Sequence, residues 1–371
     1  MKKLLLFAFA IPFFSFGQTN RTTTVSGDFL NPLIWSPIGV PTNGDSLTIN
    51  HAVNITTDIY YNSGQILVSS SGSLIQDANQ RSVWIDGGSL VNHGVYSSHL
   101  LWVSSGGYIT NTGSLNNIDS LLAQGAVTNS GMAGINDFWI AVGGSMNNSG
   151  TLTNTDSLLV QGPFINTGFA TVYDLAVDEM ATFDNSHILT VTNNMHNQGT
   201  INNTWSIDVA NDFSNCNTQN FDGVINNDGV FCIGHDFLNC GGDTIMGSGD
   251  YYIGNLSSNL GVFTGTHFFH TPNGSLTLNT GTVDVTVTLT TGACTAGISS
   301  EEKLSLEVYP NPTEDVLQLS ISDVKFELFD YTGKIVMEGI VENHMINLQN
   351  VTEGVYLLKV DGIHVHRIVK K

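Results

Sequence analysis

Four aspartates recur at nearly even steps through the middle of the chain: Asp119, Asp137, Asp156 and Asp174. The steps are 18, 19 and 18 residues, and Asn193 and Asn211 continue the series. Carboxylates stacked a few ångström apart repel unless a cation or a proton intervenes. Such a column therefore suggests two chemistries. A hard divalent cation such as Ca²⁺ takes carboxylate and carbonyl oxygens. Glycoside hydrolysis uses two carboxylates in unlike environments, one of them with a raised pKa. Against both stands a plainer reading, in which these are solvated turn residues pointing apart, since Asp is a common turn former. A repeated column is easier to explain as repeat geometry than as one catalytic pair. The expectation is therefore a chain with no catalytic residue and no required cofactor. Ca²⁺ is the candidate ligand of the four aspartates, and a glycoside hydrolase using them is the alternative.

Charge and the remaining motifs narrow the field. Residues 22–299 hold one basic residue, Arg81, against 20 acidic ones. A net charge of −19 over that span, one minus 20, repels nucleic acid and anionic polymers. Uronate lyases, which need Lys or Arg near the abstracted proton, are disfavoured for the same reason. Neither GxSxG nor a P-loop occurs. Cys216, Cys232, Cys240 and Cys294 are separated by 16, 8 and 54 residues, which fits no zinc module. Disulfides or buried thiols are expected instead. Four cysteines allow three connectivities. Cys216 and Cys240, each preceded by Asn, form the favoured pair. In "HFFH", His267 and His270 fall on opposite faces of a strand and read as surface residues. His364 and His366 share a face near the C-terminus and read the same way.

The elements that carry the aspartates have the same step. An Asn stands eight residues before each one, in the series Asn92, Asn111, Asn129, Asn148, Asn166, Asn185 and Asn203. Steps of 19 and 18 alternate, and two of them make the 37 residues separating "SLLAQGAVTNSGMA" from "SLLVQGPFINTGFA". Within each step lies a period of six. One row runs Val91, Ser97, Val103, Ile109, Leu115, Leu121, Val127, Ala133, Trp139. After one added residue it continues Ile140, Met146, Leu152, Leu158, Phe164, Ala170. After another it runs Val177, Phe183, Leu189, Met195, Ile201, Ile207, Phe213. Of these 22 positions only Ser97 is polar. A helix would place apolar residues three and four apart. A period of six fits three short strands closing one coil, and each coil buries its apolar edge only against its neighbours.

The fold class expected is therefore all-β. A parallel β-helix, or solenoid, with ~18.5 residues per coil and about 14 coils would form a rod on the order of 65 Å. The Asn column is expected at turns that need a left-handed backbone, with its amides hydrogen-bonded along the rod, which favours a right-handed solenoid. The period is clear from Val91 to Phe213. "NCNTQNFDGVINNDG" breaks it, and "SLTLNTGTVDVTVTL" alternates like a cap. Residues 22–291 form the passenger, with an N-terminal cap over about 22–60. The opening, "VSGDFLNPLIWSPIGVPTNGDSLTINHAVNI", resembles the W-x₅-P-x₃-D start found before many bacterial parallel β-helices, and loosely the G8-type module, through Trp35, Pro41 and Asp45.

The two ends carry addresses. Lys2 and Lys3 precede an apolar run from Leu4 to Phe16, and small residues Ser15 and Gly17 suit cleavage before Gln18. Residues 1–17 read as a signal peptide. No stretch is long enough to span a membrane. After a linker, residues 292–304, the composition changes, and residues 300–371 hold seven basic and 12 acidic residues. Seven short alternating strands there suggest a small immunoglobulin-like β-sandwich.

Residues 305–371 resemble the C-terminal sorting domain of the type IX secretion system of Bacteroidetes. The resemblance rests on "YPNP", "ELFDYTGKIV", "LQNVTEGVYLLKV" and the basic end "HRIVKK". It makes Pro310, Asn311, Pro312, Gly333, Gly354, Tyr356, Lys370 and Lys371 the sorting-signal residues. It also implies passage through an outer-membrane translocon and removal of the tail. The passenger is then released, or fixed to surface lipopolysaccharide. A second resemblance concerns "DSL" at Asp45, Asp119 and Asp156 and "DTI" at Asp243. These are similar to the Asp-Ser/Thr-aliphatic signal for periplasmic O-glycosylation, with Ser46, Ser120, Ser157 and Thr244 as acceptors. The functional expectation is a non-catalytic, adhesin-like or structural solenoid at the cell surface or outside the cell. An extracellular glycan or lipopolysaccharide is its candidate partner.

Overall fold

The computed structural model describes residues 19–217, 222–292 and 294 of the passenger. In the tail it describes residues 308–309, 311–319, 324–330, 334–341, 344–360 and 364–371. The signal segment and most of residues 292–304 lie outside the described residues.

Short strands, three of them running on through a corner as Val95–Val103, Ser114–Ala123 and Met132–Ile140, alternate inward apolar and mostly polar outward side chains, and wind into a parallel solenoid of about 13 turns, each of about 19 residues. Each coil has three faces. The first holds strands such as Ala126–Asn129 and Ser145–Asn148. The second holds Thr151–Asn154 and Phe169–Val172, and the third Ser157–Val160 and Asp174–Val177. Every strand pairs with its counterpart one coil on, for instance Ala126 with Ser145 and Leu158 with Leu175. The first coil departs from this rule. Asn20–Thr23 pairs antiparallel with Trp35–Ser36, placing Trp35, 1% exposed, against Phe29 over the end of the core.

The six-residue row is inward-facing at nearly every position. Val91, Ser97 and Trp139 depart from it by one residue. Leu90, Tyr96 and Phe138 take the inward places, and Trp139 points outward. Successive strand residues face opposite sides, so a one-residue slip exchanges core for surface.

The Asn column forms the hydrogen-bonded ladder expected along the rod, but not at left-handed turns. Among the described residues the non-glycine positive φ values belong to Gln80, Met180 and His344, so these asparagines need no left-handed backbone. They end the strands of the first face, fully buried, and each Nδ2 donates to the Oδ1 one coil on. The chain of bonds runs Asn92–Asn111–Asn129–Asn148–Asn166–Asn185–Asn203–Asn227, at 2.7 to 2.8 Å. Burying an amide is tolerable when it is hydrogen-bonded. A second ladder closes the third face through Asn197, Asn215, Asn239, Asn259 and Asn279.

The register holds where the sequence pattern faltered. Thr200 pairs with Val224, and both ladders pass the insertion around "NCNTQNFDG". Phe268–Thr271 pairs with Thr288–Thr291 in parallel, so the alternating stretch forms the last coil. Cys216 pairs with Cys240, as favoured, and Cys232 with Cys294. The Cys216–Cys240 Cα separation of 4.9 Å suits the ~4.8 Å between neighbouring rungs. Cys294 follows the strand three rungs beyond that of Cys232, and the two Cα atoms lie 5.4 Å apart.

The tail forms two antiparallel sheets. One joins Val308–Tyr309, Val316–Leu319 and Met345–Asn347. The other runs Ile335–Ile340, Lys325–Phe329, Gly354–Val360, His364–Lys370. Leu317, Phe326, Leu328, Leu358 and Ile368 share its core.

Candidate functional site

The four aspartates lie where the second face turns into the third, and the turn alternates in length. Asn117 pairs with Ile135 and Ser120 with Asp137, so two residues intervene on one coil and one on the next. The same happens two coils on: Thr153 pairs with Thr171, but Ser157 with Asp174. This added residue acts as a bulge. It falls in the 18-residue coil, and the turn from the third face to the first more than offsets it, with four residues between Val103 and Tyr108 on one coil and two between Ala123 and Ala126 on the next. The aspartates therefore do not form one stack. Asp119 and Asp156 occupy the long corners. Asp137 and Asp174 stack on Ser120 and Ser157 instead.

Local hydrogen bonds engage two of them, and a histidine stands near a third. Ser157 Oγ donates to Asp137 Oδ1 at 2.7 Å. Asp174 Oδ1 accepts from Asn193 Nδ2 at 2.8 Å and from the Asn194 backbone at 2.9 Å. Asp119 Oδ2 lies 3.5 Å from His99 Nε2. Among the described residues, none of the groupings of three or more metal-ligating side chains contains any of the four.

One such grouping stands further along the same corner. His235 Nδ1 is 2.6 Å from Asp212 Oδ1 and 3.5 Å from Asp236 Oδ1. The Asp212 hydrogen bond, then the charge of Asp236, raises the His235 pKa. These carboxylates also serve the fold. Asp212 Oδ1 accepts the Asp236 N–H at 3.1 Å, and Asp236 Oδ1 the Leu256 N–H at 3.1 Å.

His267 corrects the surface reading. It is buried beside Tyr251 and Phe263, and burial lowers its pKa against a smaller opposing pull from the Gly247 backbone. His270 does sit outward, stacked on Tyr252 at 4.2 Å.

The third face carries a feature that motif reading missed. Its outward residues align, rung by rung, as Tyr60, Trp84, Trp102, Leu122, Trp139 and Leu159. Tyr60 is 62% exposed and Trp139 44%. Tyr60 and Trp84 stack in parallel with centroids 4.2 Å apart. Polar rows flank this strip. On one side, Ser82, Leu100, Ser120, Asp137, Ser157 and Asp174 follow one another. On the other, Trp139 Nε1 donates to Gln161 Oε1 at 2.7 Å, and Gln161 Nε2 to Asp178 Oδ2 at 2.7 Å. The signal was in the spacing: Trp84, Trp102 and Trp139 are separated by 18 and 37 residues, one and two coil periods.

The glycosylation candidates differ in surroundings. Asp45 and Asp243, which precede Ser46 and Thr244, are buried. Burial pushes the Asp45 carboxyl up, but hydrogen bonds from Thr42, Arg21 and Thr19 outweigh it and hold the pKa low. Burial raises the Asp243 pKa, despite hydrogen bonds from Gly223 and Asn217. Ser46, Ser120 and Thr244 are half-buried, and Ser157 is exposed.

In the tail, Asn311 Oδ1 accepts the Val369 N–H at 2.9 Å, and Pro312 is exposed. Tyr356, 6% exposed, donates to the Thr352 carbonyl at 2.8 Å, and Gly354 begins the same strand. Lys370 is buried, its Nζ 3.3 Å from Asp315 Oδ1, whereas Lys371 is exposed. Pro310 and Gly333 lie outside the described residues.

Residues 307–371 match the family described as the secretion system C-terminal sorting domain. The chain thus carries a type IX sorting tail, which implies export to the cell surface or the extracellular space. No curated protein and no solved structure matches the chain. No helix among the described residues is long and apolar enough to cross a membrane.

Proposed function

We propose that the passenger, once exported, is a non-catalytic display module, adhesin-like or structural, at the cell surface or in the surrounding medium. What supports this reading is the alternating corner. It gives Asp119 and Asp156 one setting and Asp137 and Asp174 another, and repeats both two coils apart. A hydrolase needs one unlike pair at one place. A repeated surface suits a long partner met many times along the rod.

The test is a chain carrying Asp119→Asn, Asp137→Asn, Asp156→Asn and Asp174→Asn together. Surface display and cell attachment should match the parent chain. Turnover of any polysaccharide by the parent in a glycan-degradation screen, lost in the variant, overturns the reading.

A further inference from the structure

The strip on the third face is an unusual thing for a soluble rod to show. Large apolar side chains gathered into one exposed row mark an interaction site more often than scattered ones do. Six successive rungs at ~4.8 Å extend the row over roughly 24 Å. The row is also interrupted. Beyond Leu159 it passes to Ala176, His196 and Ser214, three rungs without a large apolar group, and after them only isolated leucines, Leu238 and Leu278, stand in it.

We propose that this strip binds an uncharged polysaccharide, with sugar rings laid along the rod axis; the inference rests on the display reading above. Three observations select that ligand class. First, Trp and Tyr offer rigid apolar bodies with polar tips, and the axial C–H groups of a pyranose are apolar while its rim is hydroxylated. Trp102 and Trp139 stand two rungs, about 10 Å, apart, with Leu122 as a lower floor between them. Second, both edges of the strip carry hydroxyl, amide and carboxylate groups. Gln161 is already held between Trp139 and Asp178, so it is placed beside the ring rather than free to collapse. A few placed polar groups around an aromatic lining is the usual construction of a small-ligand or sugar site.

Third, the charge is wrong for the rival partners. Residues 22–299 contain no Lys, and Arg81, their one Arg, is engaged by Asp77 at 2.9 Å. Asp58, Asp86, Asp137, Asp174 and Asp178 border or approach the strip, so nucleic acid, anionic lipid and uronate polymers are repelled. The same charge opposes a second copy of this face.

Affinity electrophoresis of the secreted chain through gels containing hydroxyethyl cellulose, arabinoxylan or galactomannan tests this directly, with polygalacturonate as the anionic control. At least one uncharged polymer should retard the protein, and polygalacturonate should not. The double change Tyr60→Ala and Trp139→Ala removes two exposed rings and should weaken retardation at least tenfold with an unchanged melting temperature. Trp205→Ala, an exposed indole outside the strip, should leave it unchanged. The proposal is overturned if no uncharged polymer retards the chain, if the double variant is retarded as strongly as the parent, or if light scattering shows that the strip holds a second copy. Absence of retardation for the parent chain, with its display intact, sinks the site alone. Polymer turnover sinks the non-catalytic reading and leaves the site standing.

Discussion

The two halves of the solenoid use their aromatic residues differently. Up to Val160 the interior is mainly Ile, Leu and Val, with Trp35, Tyr61, Tyr96 and Phe138 among its buried rings, and Trp84, Trp102 and Trp139 line the outside of the third face. From Phe164 onward most buried rings form one contact cluster, while Tyr173, Trp205 and Phe268 stay exposed. Phe213, Phe231, Phe237, Tyr251, Phe263 and Phe269 contact one another at centroid distances of 4.9 to 6.0 Å. Both disulfides also lie in the later half. The backbone repeat is the same throughout. A solenoid's stability is a sum over coils and their interfaces, so each half can be tuned separately. One half keeps a mainly aliphatic core and sets a row of rings on its outer third face. The other uses rings and cross-links to hold coils lengthened by the insertion at 216–223.

The sharpest way to break this contrast is Phe237→Ala. Its ring meets Phe213, Phe263 and Phe269, so the loss should reach roughly 3–5 kcal/mol. Ile85→Val in the earlier half should lose only about 0.5–1.5 kcal/mol. Denaturant melts give the two values, and hydrogen exchange should place the Phe237 effect in residues 224–291 alone. Equal spread over both halves would refute independent tuning.

Reduction of the disulfides comes next. Each bridge should contribute about 2–4 kcal/mol, felt in the later coils, with exchange in the earlier coils unmoved.

The ladders should not distinguish the halves. Asn148→Ala leaves Asn166 Oδ1 without its donor and takes one acceptor from Asn129 Nδ2. Asn215→Ala does the same to Asn239 and Asn197. Either change should cost roughly 1–3 kcal/mol in denaturant melts, because a buried polar group loses its partner. A large difference between them would show that the ladders carry unequal load.

The smallest effect is the most specific. Burial raises the pKa of Asp208, whose Oδ1 is shut from solvent without a partner. The folded state then holds its proton more tightly than the unfolded state. Stability from this group is full below the unfolded value of 3.8 and falls as pH rises through the higher folded value. Asp208→Asn should flatten the melting temperature against pH from about pH 4 upward, and raise it slightly at pH 7. An unchanged pH profile would count against the burial.

Much of this was legible in the chain. Spacing alone yields the solenoid, the coil length and the inward row, because a stack of identical coils must repeat its apolar positions. The seven strands of the tail follow from short alternation, and its sorting role from motifs. Three things escaped. Val91, Ser97 and Trp139 slipped by one residue, since a six-residue count cannot see which side of a strand faces in. The burial of His267 is not legible because its cover comes from Tyr251 one coil earlier and from Phe263 on another face of its own coil. The second Asn ladder was hidden by the insertion after Asn215, which stretches one step to 24 residues.

What the sequence determined by itself was therefore periodic: the all-β class, the rung, the buried Asn and the address at the C-terminal end. Only the tertiary structure decided which residues meet across rungs. An extra residue at a corner leaves the strand before it in register and shifts the strand after it by one, until the next turn absorbs the shift. That shift pairs Asp137 with Ser120 instead of Asp119, while leaving Trp102, Leu122 and Trp139 in one continuous row.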